Sequence, residues 1–160
     1  MKMFFQKYEP RSLTDFSGNR EQIKKILSFL RNWKKQKALL LHGPSGTGKT
    51  LSIKIASRDM GMELVESYAS DYRGSSAIRD SLLKASSQKS MFYKGKIFLI
   101  DDAEALDTTK PIIELIEKSA YPVIIIANNA YEKKLRALHK YCSLIKFDKI
   151  PQDEIESKLK

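Results

Sequence analysis

The run Gly43-Pro44-Ser45-Gly46-Thr47-Gly48-Lys49-Thr50 carries the spacing G-x-x-x-x-G-K-[ST], which suits the binding of a phosphate chain. Glycines let the backbone curl so that successive N–H groups point inward at anionic oxygens. Lys49 can reach β- and γ-phosphates, and the Thr50 hydroxyl can ligate Mg²⁺. Leu51 opens the helix whose free amides and positive dipole end face the same anion, and so joins residues 43–50 as a phosphate-side candidate. Downstream, Asp101-Asp102-Ala103-Glu104 supplies carboxylates. Asp101 is placed to hold Mg²⁺ opposite Thr50, Asp102 to polarise an attacking water, and Glu104 is expected to point elsewhere. An acidic helix cap in solvent is the plain alternative. Asn128 offers both a donor and an acceptor, to a γ-phosphate and to water, whereas Asn129 reads as turn chemistry. The bound species is expected to be a nucleoside triphosphate with Mg²⁺.

Those residues need a scaffold, and the surrounding pattern provides one. Ala38–His42 is a short apolar run ahead of the glycine-rich turn, and a helix to about Arg58 or Met60 follows, closed by Gly61. The continuous apolar runs Ile97–Ile100 and Val123–Ala127 lead directly into the carboxylates and Asn128. Such runs mark central parallel strands covered on both faces. Glu63–Tyr68 and Leu144–Phe147 are further strands. Helices are expected from Asn19, as N-cap, to about Lys35, from about Ser75 to Ala85 with Ile78, Leu82 and Leu83 inward, after Pro111, and from about Tyr131 to Ala137. Trp33 is either a stacking ring or a cover for the core edge. Strands alternating with helices give an α/β fold with a parallel sheet wrapped on both sides. At the carboxyl ends of such strands ligands bind.

Composition narrows the class. The 160 residues are 42% hydrophobic, enough for one domain with a proper core. No stretch is long and apolar enough to cross a bilayer, and residues 1–7 do not make a signal peptide. A soluble intracellular chain is expected. One cysteine, Cys142, excludes an internal disulfide, and His42 and His139 lie too far apart to suggest a metal-ligand pair. The net charge is +10, with lysines clustered at 24–25, 34–37 and 133–140. Such a field attracts polyanions, although a lysine-rich surface also serves solubility alone. Residues 151–160 read as the first turns of a helix, and the chain is expected to be the front domain of something longer, with a naturally short protein left open.

Taken together, these motifs resemble AAA+ ATPases, and among them the large subunits of archaeal-type replication factor C clamp loaders. The likeness is carried by Tyr8-Glu9-Pro10-Arg11, by Asp15-Phe16-Ser17-Gly18-Asn19 and by the phosphate loop. It continues through Ala69-Ser70-Asp71-Tyr72-Arg73-Gly74, Asp101-Asp102-Ala103-Glu104 and Pro122 to Asn128. It implies a three-layer P-loop NTPase domain with a five-stranded parallel sheet over residues 1–150. Residues 151–160 would start a helical lid otherwise absent from the chain. Tyr8, Pro10, Arg11, Phe16 and Gly18 become candidates beside the adenine of ATP or ADP. The implied role is the ATP-binding domain of a subunit that loads the sliding clamp onto primer-template DNA. Its implied partners are the small subunits, the clamp (proliferating cell nuclear antigen) and that DNA. The implied compartment is the cytoplasm, or the nucleus in a eukaryote, with no membrane. By the same likeness Arg73, Arg79 and Lys84 would touch the DNA backbone, with ion pairs on the protein itself as the alternative. Met91-Phe92-Tyr93 would plug a pocket on the clamp or be buried under the sheet edge.

Three departures stand out. The family usually has Asp-Glu where this chain has Asp101-Asp102, and the shorter side chain would orient water poorly. Small subunits carry Ser-Arg-Cys where this chain has Lys140-Tyr141-Cys142, so it would receive an arginine finger without supplying one. The nucleotide-sensing lid arginine would lie past residue 160. A non-hydrolysing, nucleotide-locked subunit and another AAA+ DNA motor therefore remain rival readings.

Overall fold

The computed structural model describes residues 10–73 and 76–159. Five strands form one sheet: β1 (Ala38–His42), β2 (Glu63–Tyr68), β3 (Lys96–Asp101), β4 (Val123–Ala127) and β5 (Cys142–Lys146). Their order is β2-β3-β4-β1-β5 and every pairing is parallel. The helices are α1 (Arg20–Arg31), α2 (Lys49–Asp59), α3 (Ser76–Ser87), α4 (Lys110–Lys118) and α5 (Gln152–Leu159).

Strand periodicity divides the core in two. Leu40, Phe98, Ile100, Val123 and Ile125 face the layer of α3 and α4, where Leu82, Leu83, Ile112, Leu115 and Ile116 cover them. Their neighbours Leu39, Leu41, Leu99, Ile124 and Ile126 face α1 and α2 through Ile26, Leu30, Ile53 and Ala56. Alternate side chains of a strand point to opposite faces, so the unbroken apolar runs are what a three-layer sandwich needs.

Register aligns the strand ends. His42 pairs with Ala127, and Ile100 pairs with Ile125, so the segments leaving β1, β3 and β4 emerge together at one edge. Phe147, just past β5, donates its amide to the His42 carbonyl at 2.7 Å and is fully buried.

Several boundaries differ from the sequence reading. Helix α1 ends at Arg31 rather than near Lys35, because Asn32 caps it with Nδ2 donating to the Ser28 carbonyl at 2.9 Å. Trp33 donates Nε1 to the Lys37 carbonyl at 2.7 Å, closing the turn into β1. Asn19 sits at the expected cap position but in left-handed backbone at φ 49° and makes no side-chain cap. Its amide instead exchanges two hydrogen bonds of 2.9 Å with the Asp148 backbone, tying the N-terminal arm to the exit of β5. The basic segment is a 3-10 run, Lys133–Leu138, rather than an α-helix from Tyr131. Strand β5 begins two residues early, at Cys142, and releases Phe147. Helix α3 runs on to Ser87, and the Ile78 side chain lies outside the described residues. Among the described residues no helix is long and apolar enough to cross a membrane.

Candidate functional site at the phosphate loop

The loop between β1 and α2 is held in its curled form by backbone that only glycine adopts readily. Gly43, Gly46 and Gly48 have φ of 138°, 76° and 89°. At Gly43 a Cβ would fall 2.1 Å from the Phe147 carbonyl oxygen, so chain packing as well as conformation demands glycine there. At Gly46 a Cβ would meet nothing within 4 Å. That glycine leaves open space at the tip of the curl.

Lys49 is buried, and its Nζ donates to the carbonyls of Gly43 and Pro44, each at 2.8 Å. Thr47 Oγ1 donates to the same Pro44 carbonyl at 2.9 Å. Desolvation by burial lowers the Lys49 pKa, against the opposing pull of Asp101 and Glu104. The ammonium lies across the loop, bridging carbonyls that a phosphate oxygen can replace. Thr50 Oγ1 donates to Asp101 Oδ2 at 2.8 Å, linking the start of α2 to the end of β3.

A cavity of about 350 Å³ opens over these groups, lined by residues 45–51, by Asp101, Asp102 and Glu104, and by residues 126–128. The structure therefore gathers Ser45, Gly46, Thr47, Gly48, Lys49, Thr50, Leu51, Asp101, Asp102 and Asn128 around one space. Gly43 and Pro44 support it from behind through their carbonyls. Asp102 has left-handed backbone at φ 54°, is exposed, and donates its amide to Asp101 Oδ1 at 2.8 Å.

Glu104 does not point elsewhere, as the sequence suggested, but into this site. The left-handed Asp102 turns the chain into a 3-10 turn, Ala103–Ala105, and Glu104 Oε1 accepts the amides of Asn128 and Asn129, the latter at 2.9 Å. No spacing rule foretells that reach, since it depends on the conformation of one residue. Asn129 caps its own turn, with Oδ1 accepting the Tyr131 amide at 3.0 Å.

The adenine-side candidates are less concentrated. Tyr8 lies outside the described residues. Phe16 is buried against Gly48, with Ile23 and Ile55 around it, rather than open to a base; an aromatic ring next to apolar helix faces gains more from burial. Arg11 is exposed and its carbonyl accepts Arg58 of α2. Pro10 is half-buried. Gly18, at φ 68°, lies near Ile150 and Glu154 and lines a separate cavity of about 560 Å³ with Ser17 and Asn19.

Outside the site, the ion-paired alternative describes Arg73 and Arg79. Arg73 Nε donates to the Ala105 carbonyl at 2.7 Å and lies 3.5 Å from Asp107. Arg79 Nε lies 3.9 Å from Asp80 and 4.0 Å from Glu114, and that buried atom makes no hydrogen bond among the described residues. Lys84 is exposed. Met91, Phe92 and Tyr93 are 88%, 89% and 53% exposed, so burial under the sheet edge is excluded.

The fold and this loop define a P-loop domain of the AAA class. Residues 39–143 match the ATPase family associated with various cellular activities (AAA), and the chain belongs to that family. Within it, the chain is similar to replication factor C large subunits of archaea. It is 38% identical to that of Thermofilum pendens over 94% of this chain, and 36% identical to that of Sulfolobus acidocaldarius over 98%. It is 34% identical to that of Nanoarchaeum equitans, again over 98%. It spans only 38–39% of the length of these relatives.

Proposed function

We propose that this chain binds ATP and Mg²⁺ as the nucleotide-binding domain of a clamp-loader large subunit, working in the cytoplasm. The observation that carries the reading is the contact of Thr50 with Asp101 at 2.8 Å, directly under a curled glycine loop. A hydroxyl and a carboxylate side by side are hard oxygen donors of the kind Mg²⁺ takes alongside phosphate and water. Among the described residues no group of three or more His, Cys, Asp or Glu could hold a metal. When bound, Mg²⁺ neutralises phosphate charge.

The protein's own groups divide the remaining work. Loop amides and the start of α2 bind the phosphates. Lys49 exchanges its carbonyl partners for β- and γ-oxygens. Asn128, at the end of β4, contacts the γ-phosphate, and Asp102 holds the attacking water. Binding of ATP would fix this subunit against the small subunits, open the clamp and grip primer-template DNA; hydrolysis would release both. Lys84 and Arg79 on α3 would contact DNA phosphates without reading sequence, Arg79 by giving up its loose pairs with Asp80 and Glu114. Met91 and Phe92, with Tyr93, would dock on the clamp. The relatives' name, replication factor C large subunit, supports this assignment.

Titration of a fluorescent ATP analogue with Mg²⁺ tests the core of the reading. The wild-type chain should bind it and Lys49→Ala should lose at least about 100-fold in affinity, since a buried charge pairing with phosphate is removed. Equal affinity in the two would refute it.

A second reading, a subunit that binds ATP but turns it over poorly, is favoured by Asp102. Its carboxylate is one methylene short of glutamate, and its backbone is tied to Asp101.

A further inference from the structure

The residue that the sequence passed over sits where the two halves of the site meet. Glu104 belongs to the turn that follows β3, yet its Oε1 accepts both amides that leave β4, those of Asn128 and Asn129. The turn itself is firmly held. Ala103 is buried, the Ala105 amide donates to the Asp102 carbonyl at 2.8 Å, and Lys134 Nζ donates to the Glu104 carbonyl. Glu104 also lines the phosphate cavity and contributes to the field at Lys49.

We propose that Glu104 is a positioning residue: its carboxylate fixes the backbone of Asn128, and so aims the Asn128 amide at the γ-phosphate. This deepens the function proposed above and rests on it. Two consecutive amides at the end of a strand have no further strand partner, and a single carboxylate oxygen satisfies both. The Asn128 carbonyl is held separately, accepting the Gly43 amide at 3.1 Å. Without the Glu104 oxygen the peptide plane on the amide side of Asn128 loses its anchor, and the side chain at 128 loses its aim. Length matters as well as charge. An aspartate at 104 would stop about 1.5 Å short of the two amides, so the long side chain at 104 sets a contact that the short one at 102 cannot reach.

The test compares affinities of the chain for Mg-ATP and Mg-ADP, because only ATP has the group that Asn128 is to contact. Asn128→Ala should lower the ATP-to-ADP affinity ratio about tenfold, as loss of one hydrogen bond to a charged group does. Glu104→Ala should lower it equally while ADP affinity stays within about twofold, and the double variant should fall no further than either single one. Glu104→Gln keeps the acceptor oxygen and should restore most of the ratio, whereas Glu104→Asp should not. In the Glu104→Ala protein the amide proton of Asn128 should move upfield in the NMR spectrum. Several results would overturn the proposal: an unchanged ratio in Glu104→Ala, additive losses in the double variant, Glu104→Gln behaving like alanine, or ATP and ADP affinities falling together. If Asn128→Ala itself leaves the ratio unaltered, the γ-phosphate role of Asn128 fails and this inference with it. If that variant lowers the ratio and Glu104→Ala does not, only the inference about Glu104 fails.

Discussion

At the scale of single residues, the motif fixes Gly43 and leaves the position of Gly46 open, and the structure treats the two differently. Gly43 packs against Phe147 as well as adopting φ 138°, whereas Gly46 faces open space. Gly43→Ala should destabilise the fold by about 3 kcal/mol or more, because backbone must move to admit the Cβ. Gly46→Ala should cost about 1–2 kcal/mol, the strain of left-handed backbone alone. Urea denaturation of both variants measures the difference. His42 gives a pH effect of definite sign. It is buried at the end of β1, and its pKa is lowered by desolvation first, then by Lys146, His139 and Lys49. Tyr131 packs edge-on between it and His139. The unfolded chain therefore takes up a proton near pH ~6.5 that the folded chain resists. Stability is intact above that pH and is lost as pH falls from about 6.5 toward the folded value. His42→Phe should remove that part of the slope in thermal unfolding followed from pH 7.5 to 5. The motif made the phosphate-loop residues legible, since its spacing encodes local geometry. It was silent about Phe147 and Glu104, whose contacts join segments distant in sequence.

Among the elements, strands were easier to read than helix ends. Burial on both faces writes itself into β3 and β4 as unbroken apolar runs, and those strands lie within one residue of expectation. Helix α1 shows why ends are harder: a single Asn32 side-chain bond to the Ser28 carbonyl stops it while its apolar stripe is still compatible with continuation. The basic 3-10 run at Lys133–Leu138 buries Leu135 and Leu138 at a three-residue spacing, which a 3-10 turn meets as well as an α-helix does. Met91-Phe92-Tyr93, in the segment before β3, left burial and docking open on sequence alone. Their exposure excludes burial and leaves the proposed docking to be tested. Phe92→Ala should weaken binding to a sliding clamp by at least about tenfold, the usual cost of removing a large aromatic anchor. The melting temperature should stay within about 1 °C, since a side chain 89% exposed adds little to the fold. A pull-down with measured affinity, alongside a melting curve, checks both halves.

For the whole molecule, the proposed clamp-loader role places activity in an assembly larger than this chain. The chain spans about two fifths of its relatives' length, and Lys140-Tyr141-Cys142 offers no arginine to a neighbour. Turnover is therefore best measured in the full complex. There, Asp102→Glu should raise the ATPase rate several-fold, up to about tenfold, because the added methylene brings the carboxylate nearer to the water. A brisk wild-type rate that the substitution leaves unaltered would show that Asp102 already serves well. Cys142 has no such role: burial pushes its thiol to about 12, and it is a free, unreactive side chain in the sheet.

The sequence by itself determined the class of protein and the phosphate side of its site. Apolar runs, turn glycines and the lysine–threonine pair act through local geometry, and local geometry is what spacing records. Only the tertiary structure decided which carboxylate meets which amide, that Phe16 is buried and Phe92 exposed, and that Arg73 and Arg79 are paired on the protein. Each of those outcomes depends on side chains brought together from separate strands and turns, where a single left-handed residue such as Asp102 redirects the chain.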